Sequence, residues 1–401
     1  MNVKAPLRIG IASTGRFHMF DLARQLAALG QEPHLFTGYP RFKVDLDLRG
    51  IARTRSRWVL LEQARSRLPG VMPAWLRVRT FQDFGRWVDR SLAEHGADVL
   101  DALEGAGLEA GRTVRDAGGA WICNRGSSHI LTQKRLLEEE YRRWGFSIPK
   151  HFFPPEYVDR CLAEYDGANA IVVGSTFSRG TFIRQGLRAG TVHVCPYGVD
   201  LSLFHPVPKR DHRFRILFVG TQSLRKGIGY LFDAVRPLVK KGAVELWLIG
   251  HVQAETAELL GCNADLFVHK GVRARSELSW YYSQASVLVL PSIEEGLALV
   301  QAQAMACGVP VIATPNTGAE DLFSDGVEGV LVPARSPSAI RRAIQRMLDN
   351  PAEREEMAAA ALRRVRQLGG WASYGRRCLE IYRGVLAEKR SVRATALRVA
   401  S

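Results

Sequence analysis

No stretch of this sequence has the ~20 consecutive apolar residues that a membrane-spanning helix needs; runs such as "ASVLVLP" stop far short. The six cysteines (Cys123, Cys161, Cys195, Cys262, Cys307, Cys378) are scattered, with no Cys-x-x-Cys pair. A disulfide framework and a structural zinc site are therefore not expected, and a reducing cytoplasm suits the chain. "LRIGIA" near the start is too short for a signal-peptide core and runs into Ser, Thr and Gly as a strand-to-turn does, so no targeting segment is expected. A complete Gly-x-Gly-x-x-Gly is also missing, which argues against a nicotinamide cofactor. The Asp-x-Asp form of a metal motif occurs as "DLD" (Asp45 to Asp47), inside a basic segment. No module of basic and stacking aromatic residues points to nucleic acid.

What is present is material for a sizeable core. The chain has 401 residues, 46% of them hydrophobic, which suits two domains of roughly 150–200 residues each. The net charge of +15 is unevenly spread. Residues 41–90 carry 12 Lys and Arg against 5 Asp and Glu, and residues 371–401 carry 7 against 2, whereas residues 213–370 are nearly balanced at 18 against 16.

Two stretches share one plan. "PLRIGIASTGRFHMFDLARQLAALG" and "RFRILFVGTQSLRKGIGYLFDAV" each run from an apolar strand through a small-residue turn into an amphipathic helix. Each reads as the first unit of a doubly wound sheet. Further strands ("WICNR", "AIVVGS", then "VELWLIG", "ADLFVHKG", "SVLVLPS", "VPVIAT", "GVLVP") alternate with helical patterns, which predicts parallel sheets covered by helices. The proline-rich "PYGVDLSLFHPVPKRDHR" sits between the two series. The expected organisation is a first α/β domain over 1–195, a linker over 196–212, a second over 213–370, and a helix over 371–401 that returns to the first domain and ends in a frayed basic tail. Ligands of such sheets bind beyond the carboxyl ends of the strands, so the site belongs in the cleft where the two domains face each other.

"FVGTQSLRKGIGYL" places Arg225 and Lys226 between a strand and a helix. Adjacent cations near a helix N-terminus, with Gly227 and Gly229 allowing close approach, suit a diphosphate clamp; they suit an ordinary solvated turn as well. In "PSIEEGLALVQAQAMACGVPVIAT" (Pro291 to Thr314), Glu295 stands on a loop at the cleft rim and Gln303 lies one to two turns into the next helix. A loop carboxylate can accept from sugar hydroxyls and an amide can meet a ribose. An acidic pair favoured by the helix dipole and a satisfied core glutamine would look the same.

These stretches, with "GAEDLFSDGVEGVLVP" and "PYGVDLSLFHP", resemble the glycosyltransferases of family 4, a group of retaining enzymes with the GT-B fold of two Rossmann-like domains. The resemblance covers most of Gly174 to Pro333 in order and spacing. It implies a Glu-x7-Glu motif whose first member, on the donor sugar, falls on Glu295. The second, on the nucleotide ribose, falls on Gln303, a departure that keeps the shape and loses the charge. It also implies Arg225 and Lys226 on the diphosphate, and Gly220, Thr221, Gly296, Leu297 and Ala298 around the donor. Gly15 fits the family's small first loop. His129, in "NRGSSHI" with Arg125, Ser127 and Ser128, matches a loop that often supplies a histidine near the donor sugar; His18 is the weaker candidate. The expected catalytic set is His129, Arg225, Lys226 and Glu295, with no metal and no cofactor beyond the nucleotide-sugar substrate.

The expected function is transfer of a sugar from that donor to a saccharide or lipid-linked acceptor in surface-glycan synthesis, in the cytoplasm. Trp58, Trp75 and Trp87 among the arginines of residues 41–90 suit peripheral contact with an anionic membrane; a solvated basic face would read the same. Two alternatives stand beside this. One is a catalytically weakened scaffold that binds a glycan or a partner, and the other is a nucleotide-sugar epimerase on the same fold.

Overall fold

The computed structural model describes residues 5–66 and 73–400. Its first sheet is built from β1 (Arg8–Ser13), β2 (Glu32–Thr37), β3 (Ala52–Thr54), β4 (Val99–Leu103), β5 (Ala120–Arg125), β6 (Ala170–Val173) and β7 (Val192–Val194). The strand order is β3-β2-β1-β4-β5-β6-β7, and the recorded pairings are parallel. The second sheet comprises β8 (Arg215–Val219), β9 (Glu245–Ile249), β10 (Val268–His269), β11 (Val287–Leu290), β12 (Val311–Ala313) and β13 (Gly329–Leu331), in the order β10-β9-β8-β11-β12-β13. Strands buried on both faces explain the unbroken runs "RILFV" and "VLVL", where an exposed face would demand alternation. Each sheet reverses its winding beside its first strand. In the second sheet that point lies between β8 and β11, whose following loops carry Arg225–Lys226 and Glu294–Glu295.

Between β7 and β8 the chain forms neither helix nor strand across 195–214, a stretch that includes residues 196–212, read as the linker. The last helix, Gly370–Ala400, crosses back to the first sheet. The expected frayed tail is not there: "SVRATALRVA" forms the final turns of this 31-residue helix. Its Ala, Arg and Leu residues are strong helix formers, and no Gly or Pro interrupts them.

The return of this helix closes a buried polar cluster. Tyr382 donates its hydroxyl to Asp101, and Asn124 Nδ2 bonds both Asp101 Oδ2 (3.4 Å) and the Tyr374 hydroxyl (3.4 Å). Cys195 and Cys378 lie 3.6 Å apart, sulfur to sulfur. Burial pushes the Asp101 carboxyl up to about 7 despite its two donors. A carboxyl that binds its proton more tightly folded than unfolded contributes stability that is present at low pH and lost as the pH rises from about 4 through 7. Asp101→Asn, which keeps an acceptor for Tyr382, is expected to flatten that decline in melting temperature. Equal pH slopes for variant and wild type would contradict this.

Candidate active site

The Arg225–Lys226 turn is fixed from both sides. Ser223 caps it by accepting from Lys226 N–H at 3.4 Å. Gly227 follows at φ +69°, and any Cβ there would overlap the Pro291 carbonyl oxygen of the loop after β11. Ile293 N–H then donates to Arg225 O at 2.9 Å. Glycine at 227 thus brings two strand-end loops into contact. The cations sit on this turn, and the helix proper starts at Ile228.

The β11 loop is held in turn by the segment after β12. Glu295 N–H donates to Asn316 O (3.0 Å), Asn316 Nδ2 to Ile293 O (2.8 Å), and Thr314 Oγ1 to Ser292 O (2.7 Å). On this rigid loop the two glutamates point to different partners. The Glu295 carboxylate meets Lys226 Nζ, Ser292 Oγ (3.2 Å) and Arg225 Nη2 (3.5 Å). The fully buried Glu294 accepts from Ser128 N–H and Oγ (2.8 Å each), Gln133 Nε2 (3.0 Å) and Arg225 Nε (3.0 Å). Burial alone would raise the Glu294 carboxyl, but Arg225 and Ser128 outweigh it and hold it below the usual range. Two cations and two carboxylates therefore share one spot beyond β8 and β11, with little net charge left over.

Of the other residues singled out from sequence, Gly220 lies beside the Lys226 side chain, and Leu297 packs on Gly174 and Gly318. Gly296 carries its carbonyl to Ser175 Oγ (2.5 Å) and Ser178 Oγ (3.3 Å) of the first domain. Thr221 follows Gly220 in the turn after β8, and Ala298 begins the helix Leu299–Ala306. Gly15 lies in the loop after β1, beneath the Phe17 ring. Gln303, half-buried on that helix, accepts from the Tyr282 hydroxyl at 2.9 Å, apart from the charged cluster. Its neighbour Gln301 is a satisfied core amide, bonded to Thr317 O (3.0 Å) and Thr317 Oγ1 (3.3 Å).

His129 is not in the cleft. It is buried, its ring 5.0 Å from both Tyr165 and Phe182, and its Nδ1 accepts from Leu131 N–H (3.3 Å) at the start of the helix Ile130–Arg143. Burial and Arg125 depress its pKa to about 4, so its role here is a neutral cap. The loop does reach the second domain, but through Ser127 and Ser128. His18 is also buried and depressed to about 4 by burial, stacked 4.2 Å from Tyr197 with Nε2 2.8 Å from Asn124 Oδ1. Asp45 and Asp47 are taken up by arginines: Asp45 by Arg16 (2.8 Å) and Arg24 (3.0 Å), Asp47 by Arg24 (2.5 Å). Glu294 carried no signal of its own in the sequence beyond standing next to Glu295.

Residues 213–350, which hold this cluster, match the family model described as glycosyl transferases group 1. Two relatives are D-inositol 3-phosphate glycosyltransferases. That of Frankia alni is 26% identical over 92% of this chain and 94% of its own length. That of Nocardiopsis dassonvillei is 31% identical over 51% of this chain, which spans about half (53%) of that relative. Over residues 213–350 the chain is similar to the group 1 glycosyltransferases. The group's GT-B architecture agrees with the two sheets described above. The sucrose-phosphate synthase of Thermosynechococcus elongatus superposes with a TM-score of 0.75 at 22% identity, covering 95% of this chain and all of that one. Anabaena HepE, crystallised with UDP and glucose, superposes at 0.68 and 18% identity over 94% of this chain and all of its own. At such identities the two structures speak to the fold alone.

Proposed function

We propose that this protein is a glycosyltransferase that transfers a sugar from a nucleotide-sugar donor to a saccharide or lipid-linked acceptor, with retention of configuration and without a metal. The observation that carries the reading is the docking of the Arg225–Lys226 turn on the Glu294–Glu295 loop at the point where the second sheet reverses its winding. A donor diphosphate entering there would take Lys226 from Glu295, leaving that carboxylate to accept from sugar hydroxyls. The Gln303 amide keeps its N–H groups for a ribose, since its oxygen already accepts from Tyr282. In the reaction the bond from the anomeric carbon to the diphosphate breaks and the acceptor oxygen bonds to the same face. A diphosphate oxygen takes the acceptor proton. Arg225 and Lys226 meet the charge that builds on the leaving group.

The acceptor side supports a lipid-linked substrate at a membrane surface. Phe42 (74% exposed) and Leu46 (78%) follow β2, Phe17 is half-exposed after β1, and Trp75 (60%) opens the helix Ala74–His95. Arg41 and Lys43 stand among them. Large apolar side chains beside cations suit the headgroup layer of an anionic bilayer. Part of the basic run serves elsewhere, since Asp83 takes Arg55 (2.8 Å) and Arg57 (2.7 Å), and residues 67–72 lie outside the described residues. No described helix is long and apolar enough to cross a membrane.

The test is a binding and turnover screen of UDP-, GDP- and ADP-sugars in the presence of EDTA. Acceptors would include a phosphorylated cyclitol, for which the relatives are named, and an undecaprenyl-linked saccharide on anionic vesicles. Selective binding of one donor, with transfer that EDTA does not slow, is the expected result. Donor binding without turnover would favour a scaffold, and binding of no nucleotide sugar would overturn the donor site.

A further inference from the structure

A row of charges of alternating sign crosses the boundary between the two domains. In the first domain Glu104, after β4, pairs with the fully buried Arg125 at the end of β5. Arg125 donates to Ser128 O (2.8 Å) and to Gln133 Oε1 (2.8 Å), so Gln133 presents its N–H groups outward. Glu294 of the second domain receives them, then Arg225, then Glu295 and Lys226.

We infer that Glu294 is a positioning residue that latches the two domains in the closed arrangement and holds Arg225 in register with it. Its four partners are all donors: the Ser128 N–H, the Ser128 hydroxyl, the Gln133 amide and the Arg225 guanidinium. Only an ionised carboxylate accepts from all four. A glutamine would turn an NH2 toward donors on one side. If the domains part, Oε1 loses both its donors and Oε2 keeps only Arg225. A buried carboxylate stripped of partners is unfavourable, so the ion pair that orients Arg225 also favours closure. Arg225 also donates to Ser127 Oγ across the boundary (3.3 Å), whereas other contacts there, among them Ser175 to Gly296 O (2.5 Å), Thr176 to the Asp321 carboxylate (2.8 and 2.9 Å), Tyr141 to Glu255 (2.8 Å) and Arg335 to Glu140 (2.7 Å), do not involve the donor cations. Glu294 therefore ties domain closure to the diphosphate site, a role that rests on the function proposed above.

The experiment compares full-length wild type, Glu294→Gln and Gln133→Ala. It combines small-angle scattering, calorimetric titration with inorganic pyrophosphate, and transfer kinetics with the donor that the screen selects. For Glu294→Gln the expected results are a larger radius of gyration, pyrophosphate affinity equal to wild type or a few-fold tighter because Arg225 has lost a counter-charge, and a fall in kcat of about 100-fold at nearly unchanged donor KM. Gln133→Ala, which removes one donor and keeps the charge, should shift scattering and kcat in the same direction by less, and it serves if Glu294→Gln does not fold. Scattering and kcat like wild type in both variants would overturn the latch. So would a loss of pyrophosphate affinity that matches the loss of kcat. If wild type binds no pyrophosphate, the donor site itself is wrong, and scattering still decides the latch.

Discussion

Lys226→Ala is expected to lower kcat by 10²–10³-fold, about 3–4 kcal/mol of lost transition-state stabilisation. Arg225 and Lys226 are neighbours in sequence but not in role. Arg225 turns toward Glu294 and Ser127 at the domain boundary, whereas Lys226 faces Glu295 beside Gly220. Lys226 is thus the cation free to leave its carboxylate for a diphosphate. Removing it does two kinds of damage at once: the departing diphosphate loses a positive charge, and the Glu295 carboxylate beside it keeps only Ser292 and the more distant Arg225 as partners. The first acts more on the transition state than on the ground state, because charge on the leaving oxygens grows as the bond breaks. The loss should therefore fall on kcat more than on donor KM. Initial rates across donor concentration decide the matter, and a kcat within three-fold of wild type would remove Lys226 from the mechanism.

Gly296→Ala is expected to cost a similar factor, about 10²-fold in kcat, for a steric reason. A methyl group at 296 would overlap the Gly126 carbonyl oxygen of the first domain and lie 2.9 Å from Ser127 N. Both obstacles are backbone, so no side chain can swing aside. Gly296 is not among the glycines with a positive φ, so alanine imposes no strain on its own loop. The second domain should fold as before while the cleft is wedged open, and a displacement near 1 Å suffices to spoil catalysis. Small-angle scattering should report a more open molecule with an unchanged melting temperature. Gly384→Ala, where a Cβ meets nothing within 4 Å, is the control. Equal activity in Gly296→Ala and Gly384→Ala would mean that the closed contact is not the reacting one.

Both predictions rest on residues that the sequence made visible unevenly. The two parallel sheets were legible because buried strands leave apolar runs and strand-end turns leave Gly, Ser and Thr. That Arg225, Lys226 and Glu295 meet at one place was legible because their spacing from those runs is fixed by the winding of the sheet. His129 was misplaced, since a loop of four residues can aim one side chain into the cleft and the next into the core. Ser128 and His129 do just that. Glu294 was missed for a related reason: in an irregular loop there is no period from which to deduce that adjacent glutamates face different domains. The end of the last helix was misread because a basic composition resembles a tail, although Ala, Leu and Arg also make a good helix.

The helix Gly370–Ala400 sets an order of events in synthesis. Cys195 and Cys378, whose sulfurs touch in the finished molecule, are 183 residues apart in the chain. At 5–20 residues per second, roughly 10–40 s separate their appearance from the ribosome. During that interval the first domain has all of its strands, yet Asp101, Asn124 and Tyr197 lack the tyrosines that will cover them. Until Tyr374 and Tyr382 arrive, Asn124 and Asp101 of the nascent N-terminal half stay without these partners, so the first domain is completed only by the far end of the described chain.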